Sequence, residues 1–280
     1  MANLSTGSWE AITHLPVQKI MADTRQDSKD EIAVEEPLEI RLLYGPAGAR
    51  QEQSISITMR TPGHDAELAT GFLFTEGIIP GAAAILSVEQ WPSTIRIALQ
   101  DNIALDLGRL QRHFYTSSSC GVCGKSSIEA LRTVCPPAKT ATDPPLAANI
   151  IYSLPSRLRQ QQELFNATGG LHAAALFDRQ GNISSLREDI GRHNALDKLI
   201  GHALQNDPLL SSKGLLLSGR ACFELIQKAA MAGIKIVAAI GPPSSLAIQL
   251  AEEQDMTLIG FLRDQRFNIY TGAHRIRIKK

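Results

Sequence analysis

The sequence is poor in cysteine. Four in 280 residues are too few for a disulfide scaffold, so packing has to hold a chain of this size. Excess charge is missing too. Lys and Arg total 28, as do Asp and Glu, which argues against nucleic acid as a bulk electrostatic partner. No basic stretch followed by an apolar run and a cleavage site precedes the body of the chain, so no secretory signal is expected. No apolar run approaches the ~20 residues of a membrane helix, and the longest, such as 234–240, fit buried strands. A Walker A loop and a G-x-G-x-x-G are both absent. What remains is an ordinary globular composition, long enough for one large or two modest domains. A C-x-x-C without a secretion signal points to a reducing compartment, the cytoplasm.

Residues 1–30 are mixed polar and read as a tail without fixed structure. Residues 31–112 read as a small α+β unit. A strand is expected over 32–42, a turn at Tyr44-Gly45-Pro46-Ala47-Gly48, and a hairpin partner over 54–60. Asp65 is placed to cap a helix through Phe74, with two short strands near 85–90 and 95–99. Residues 113–145 comprise a thiol loop, one helix and a Pro-rich linker. Residues 146–280 have the alternation of an α/β domain: a helix over 150–164, a hairpin over 172–189, then strand and helix in turn up to a last core strand at 256–262. That rhythm implies parallel pairing with helices on the sheet faces.

The thiol loop reads Ser117-Ser118-Ser119-Cys120-Gly121-Val122-Cys123-Gly124-Lys125. Glycines beside both cysteines permit turns that present a thiol instead of packing it. Ser126-Ser127-Ile128-Glu129 has the form of a capping box, so the thiols precede a helix N-terminus, where negative charge is favoured. With Lys125, Arg112 and His113 near in sequence, a lowered thiol pKa follows. Three chemistries compete. A structural zinc site needs two more ligands, which Cys135 and His113 could supply. A dithiol redox site normally ends the first strand of a thioredoxin-like unit, unlike this mid-chain position. The third is a thiolate that carries sulfur or an acyl group. A pair of small residues buried in a core is the bland alternative, against which the Ser/Gly surroundings argue. Cys135 and Cys222 are placed in helices or core and are expected to react more slowly than Cys120. No metal ligand set is assigned.

Three turns stand where strands hand over to helices: Asp189-Ile190-Gly191-Arg192-His193-Asn194, Ser218-Gly219-Arg220 and Gly241-Pro242-Pro243-Ser244-Ser245. Ligands of open α/β sheets bind at the carboxyl ends of strands, against helix N-termini. Arg187, Glu188, Asp189, Arg192 and His193 crowd five titratable or charged groups into seven positions. A solvated surface would also explain them, but the interruption by Ile190 and Gly191 suggests a shaped site.

The chain resembles the formate dehydrogenase accessory sulfurtransferase family, FdhD. The resemblance rests on Ser119-Cys120-Gly121-Val122-Cys123-Gly124-Lys125, on Thr168-Gly169-Gly170-Leu171-His172, and on the run from Arg187 through Asp189, Arg192, His193 and Asn194 to Lys198. Ser218-Gly219-Arg220 and Gly260-Phe261-Leu262-Arg263 through Arg266 and Tyr270 extend it over nearly everything after the tail. It implies an α/β fold with a cytidine-deaminase-like C-terminal domain and a smaller α+β N-terminal domain. It implies a cytoplasmic homodimer that takes persulfide sulfur from a cysteine desulfurase. The sulfur passes to the molybdenum of the bis(guanine dinucleotide) cofactor, bound as a substrate, on behalf of the formate dehydrogenase catalytic subunit. A guanine nucleotide such as GDP would mimic that cofactor. On the match, Cys120 carries the persulfide beside Cys123. Gly260, Phe261, Leu262, Arg263, Asp264, Gln265 and Arg266 form the cofactor-binding stretch, with Thr168, Gly169, His172, Asp189, Arg192, His193, Asn194, Ser218, Gly219 and Arg220 as further contacts. Deaminases of that fold hold zinc through H-x-E and P-C-x-x-C. Here the corresponding segment is His172-Ala173-Ala174 with no glutamate, and the C-x-x-C lies upstream of it, so deaminase chemistry does not carry over. The alternative is a non-catalytic chaperone for the same cofactor, whose C-x-x-C loop is structural or binds zinc.

Overall fold

The computed structural model describes residues 10–101, 103, 144–207 and 210–278. The C-x-x-C stretch with Cys120, Cys123 and Cys135, its following helix and most of its linker lie outside the described residues, as do residues 1–9.

The polar segment read as a tail is in part a ribbon. Strand β1 (Ile12–Met21) pairs antiparallel with β2 (Thr24–Ala33), the chain reversing at Ala22 with φ 49°. Both faces of the ribbon meet water along most of its length, so polar side chains such as the bonded pair Gln18 and Asp27 are compatible with strand. The strand expected over 32–42 therefore divides: β2 stops at Ala33 and β3 (Glu36–Tyr44) begins the next sheet.

That sheet adds β4 (Gln51–Arg60) and carries α1 (Asp65–Thr75), followed by β5 (Ile85–Trp91) and β6 (Thr94–Leu99). Its order is β4-β3-β6-β5, with β3 and β6 parallel and the other pairs antiparallel. Alternation turns Leu38, Ile40 and Leu42 inward against Ile95, Ile97 and Leu99, and Leu68 and Leu73 of α1 cover them.

The second half starts with β7 (Leu146–Ala147) and α2 (Ala148–Gln161), which carries Pro155 inside it. The single helix expected over 150–164 breaks at Gln162, and a short α3 (Glu163–Thr168) follows. Next come the hairpin β8 (His172–Phe177) and β9 (Ile183–Asp189), α4 (Arg192–Asn206), β10 (Gly214–Leu217), α5 (Phe223–Met231), β11 (Ile236–Ala239), α6 (Ser245–Glu253), β12 (Thr257–Arg263), β13 (Arg266–Thr271) and β14 (Ile276–Arg277). The six-stranded sheet has the order β13-β12-β11-β10-β8-β9. Parallel pairing holds for β10, β11 and β12, as the alternation with helices implies. The β8–β9 hairpin joins antiparallel to β10, and β13 joins antiparallel to β12. Helices α4, α5 and α6 pack on one face around Leu196, Leu225 and Leu250, and Ile151, Leu154 and Leu158 of α2 pack on the other. β14 lies parallel to β7 and ties residues 276–277 to residues 146–147.

The halves meet where α1 crosses α4. A Cβ on Gly71 would overlap the carbonyl of Asp197, and one on Gly201 would overlap the carbonyl of Glu67. Only glycines allow backbones this close. Buried charge seals the joint: Lys228 reaches Asp197 at 2.9 Å and Thr75 at 2.9 Å, and Thr75 donates to Asp197 at 2.8 Å.

Candidate functional site

One edge of the six-stranded sheet collects the strand-to-helix turns. Ser218 follows β10, and its amide donates to the Ala173 carbonyl while its hydroxyl accepts from the Ala173 amide. Because β8 runs against β10, the start of β8 stands beside the end of β10, and His172 reaches this edge. A Cβ on Gly219 would lie 3.2 Å from His172 Nδ1. The turn after β11 closes on the same place: Gly241 donates to the Gly219 carbonyl at 2.9 Å and accepts from the Phe261 amide at 3.2 Å. Gly260 is pinned between Pro243 and Tyr270, so a side chain there would not fit. Phe261 then adopts φ 53° at a bulge in β12, a left-handed conformation costly for an aromatic residue, and its ring is partly exposed. Arg192 and His193 open α4 at this edge, and Arg220 stands exposed beside it. Burial, together with the charges of Arg192, His193 and Arg220, lowers the His172 pKa and favours the neutral ring.

The expected residues divide into three groups. His172, Arg192, His193, Ser218, Gly219, Arg220, Gly260 and Phe261 share this edge. Arg263, Asp264, Gln265 and Arg266 form the exposed tip of the β12–β13 hairpin, with Arg263 opposite Arg266 and positive φ at both turn residues between them. The remaining expected contacts lie in core packing, in contacts with the N-terminal half or at a helix end. Leu262 is 1% exposed within the core on the α2 face. Asp189 is fully buried, paired with Lys198 at 2.7 Å and accepting from the amides of Thr61 and Gly191. Asn194 donates to the Met59 carbonyl and accepts from Thr58, so it faces the N-terminal half. Thr168 bonds back to the Leu164 carbonyl, and Gly169 ends α3 with φ 69°. Of the five crowded charges, Arg187 grips Glu67 through two hydrogen bonds and Glu188 accepts from the amides at the start of α3. Those two are joints between elements.

A thiol that sequence reasoning placed in helix or core belongs to the same region. Cys222 is the N-cap of α5 and is half-buried. Its Sγ lies 3.3 Å from His193 Nε2, and Glu224 Oε2 lies 2.8 Å from the same nitrogen. Burial works against the His193 imidazolium, but the Cys222 sulfur and the Glu224 carboxylate outweigh it and raise its pKa to about 9. Burial likewise pushes the Cys222 thiol up. The imidazole, the Leu225 amide and the Arg192 side chain together bring it down to about 7. The available signal in the sequence was position: Ala221-Cys222-Phe223-Glu224 follows the second turn as a helix begins.

Comparison with known proteins gives a consistent result. Residues 33–277 match the model of the FdhD/NarQ family. The chain is 47% identical over 277 residues to the "Sulfur carrier protein FdhD" of Mycolicibacterium paratuberculosis, covering 95% of this chain and 97% of that one. It is 46% identical over 265 residues to the protein of the same name from Streptomyces avermitilis, covering 89% and 90%. The crystal structure of a proposed formate dehydrogenase accessory protein from Desulfotalea psychrophila superposes with a TM-score of 0.75 at 25% identity, over 96% of this chain and all of that one. Among the described residues, no helix is long and apolar enough to cross a membrane.

Proposed function

The chain belongs to the FdhD/NarQ family, and on that premise we propose that it is a cytoplasmic sulfurtransferase working for formate dehydrogenase. The reading is carried by one observation: relatives named sulfur carriers match at up to 47% identity across almost the whole length. In this reading the Cys120 thiolate attacks the outer sulfur of a cysteine desulfurase persulfide. The donor leaves as a thiolate, and Cys120 keeps the sulfane sulfur as a persulfide. Attack by the Cys123 thiolate on the Cys120 sulfur then forms a Cys120–Cys123 disulfide and releases hydrosulfide. The dithiol supplies the two electrons, and an external thiol restores it. The recipient is the molybdenum of a bis(guanine dinucleotide) cofactor, held as substrate.

The sheet edge supports the cargo half of this reading. Arginines at 192, 220 and 263 suit phosphates through charge-assisted hydrogen bonds. The close backbone approach at Gly241 and Gly260 holds the turns of this edge together, and the partly exposed Phe261 ring offers a face to stack on a purine. The order hairpin, helix, strand, helix, strand, helix, strand supports the deaminase-like description of this half. A homodimer is part of the proposal.

Intact mass after incubation with a desulfurase and cysteine tests the reading. The wild-type chain should gain one sulfur, and Cys120→Ala should gain none. Full formate dehydrogenase activity in cells carrying only Cys120→Ala would overturn it.

A further inference from the structure

The cluster where α4 and α5 begin is short of a cation. Three atoms able to bind a metal converge there: His193 Nε2, Cys222 Sγ and Glu224 Oε2. Their separations are 2.8 Å from nitrogen to oxygen, 3.3 Å from nitrogen to sulfur and 4.0 Å from sulfur to oxygen. One ring nitrogen thus faces two acceptors and carries at most one hydrogen, so a proton cannot fully serve both. The other oxygen of the carboxylate, Glu224 Oε1, is buried without a hydrogen-bond partner among the described residues. Buried acceptors left unpaired cost free energy, and a metal at the centre of the triangle would engage all three side chains at once.

The size of the triangle agrees. Zinc takes sulfur at about 2.3 Å and imidazole nitrogen or carboxylate oxygen at about 2.0–2.2 Å, which puts tetrahedral ligand atoms roughly 3.3–3.6 Å apart. The observed edges bracket that range. Cysteine, histidine and carboxylate together select a borderline-soft divalent ion over calcium or magnesium. The Arg192 side chain lies near the same sulfur and favours its thiolate. An N–H donor on a metal-bound thiolate is an ordinary outer partner, and thiolate plus carboxylate still leave net negative charge for the ion.

We propose that His193, Cys222 and Glu224 form a zinc site whose fourth position is filled by none of the described residues. These three ligands do not include Cys120 or Cys123, and the proposal does not rest on the sulfur-carrier reading. It also changes what metal analysis means, because one zinc per chain need not report on Cys120 and Cys123.

Cobalt(II) titration of the full chain, with elemental analysis of zinc-loaded protein, tests it. Wild type and the double variant Cys120→Ala/Cys123→Ala should both show the near-ultraviolet thiolate-to-cobalt band and retain one zinc per chain. Cys222→Ser should lose the band, and zinc retention should fall at least tenfold in affinity. Glu224→Gln, which keeps the thiolate, should keep a shifted band and bind more weakly. Circular dichroism separates loss of the site from loss of the fold. Absence of the band in the double variant, or its survival in folded Cys222→Ser, overturns the proposal.

Discussion

Helices α4 and α5 face each other through charged groups at two levels, four residues apart on each helix. At the inner level Asp197 meets Lys228 at 2.9 Å, Thr75 donates to the same carboxylate, and Glu76 lies 3.2 Å from the ammonium. Burial works against the Lys228 charge, but Asp197 and Glu76 outweigh it and hold the group cationic. At the outer level His193, Cys222 and Glu224 converge on one nitrogen and leave a carboxylate oxygen without a partner among the described residues. The inner cluster is closed and joins the two halves of the molecule. The outer one is open and lies at the sheet edge. Buried charge acts as architecture when every group is answered, and as a binding site when one is not.

The comparison is sharpest in stability. Lys228→Met should leave the buried Asp197 without its cation and cost about 3–5 kcal/mol in urea unfolding. A loss near that of a surface substitution would mean that the inner cluster is not closed. Gly201→Ala is an uncharged control on α4, the helix of Asp197. Its methyl would push α4 off the Glu67 carbonyl and cost about 1–3 kcal/mol through the α1 contact. An unchanged midpoint would remove the close crossing from the account.

A third cluster, of intermediate exposure, should respond to pH. Burial opposes the Glu67 charge, but Arg187 outweighs it and keeps the carboxyl below its usual value of 4.5. The depressed folded-state pKa gives stability that is complete above the ordinary carboxylate range and is lost as pH falls through it. Glu67→Gln should therefore narrow its gap to wild type as urea midpoints are followed from pH 7 to pH 3. A gap that widens on acidification would contradict the pairing. The smallest stability effect belongs to the open cluster: Cys222→Ser should shift unfolding by less than about 1 kcal/mol, since it removes no closed partner set. A loss as large as that of Lys228→Met would erase the distinction.

Much of this was legible in the sequence. The buried strands β10, β11 and β12 are legible as short apolar runs, the first two flanked by glycine, and the hairpin before them by its turn. The three handover turns do gather at one edge of the sheet. Other features depended on partners that no local pattern names. The β1–β2 ribbon is polar on both faces and so has no amphipathic signature. Asp189 and Asn194 look like site residues until Thr61, Thr58 and Met59 of the other half claim them. Leu262 stands in a cofactor-like stretch but points into the core. Cys222 was taken for packing because its imidazole partner lies 29 residues earlier.

The pairing of β7 with β14 has a consequence for the order of events during synthesis. Leu146 meets Ile276 and Ala147 meets Arg277, so β7, the first described strand after the C-x-x-C, waits for its partner in the nascent chain while some 130 residues are made. At roughly 5–20 residues per second that delay is on the order of ten seconds. The downstream anchor of the thiol stretch is thus among the last joints to close, after the sheet edge can already be assembled. A ribosome stalled before residue 276 would present the sheet with that anchor still loose.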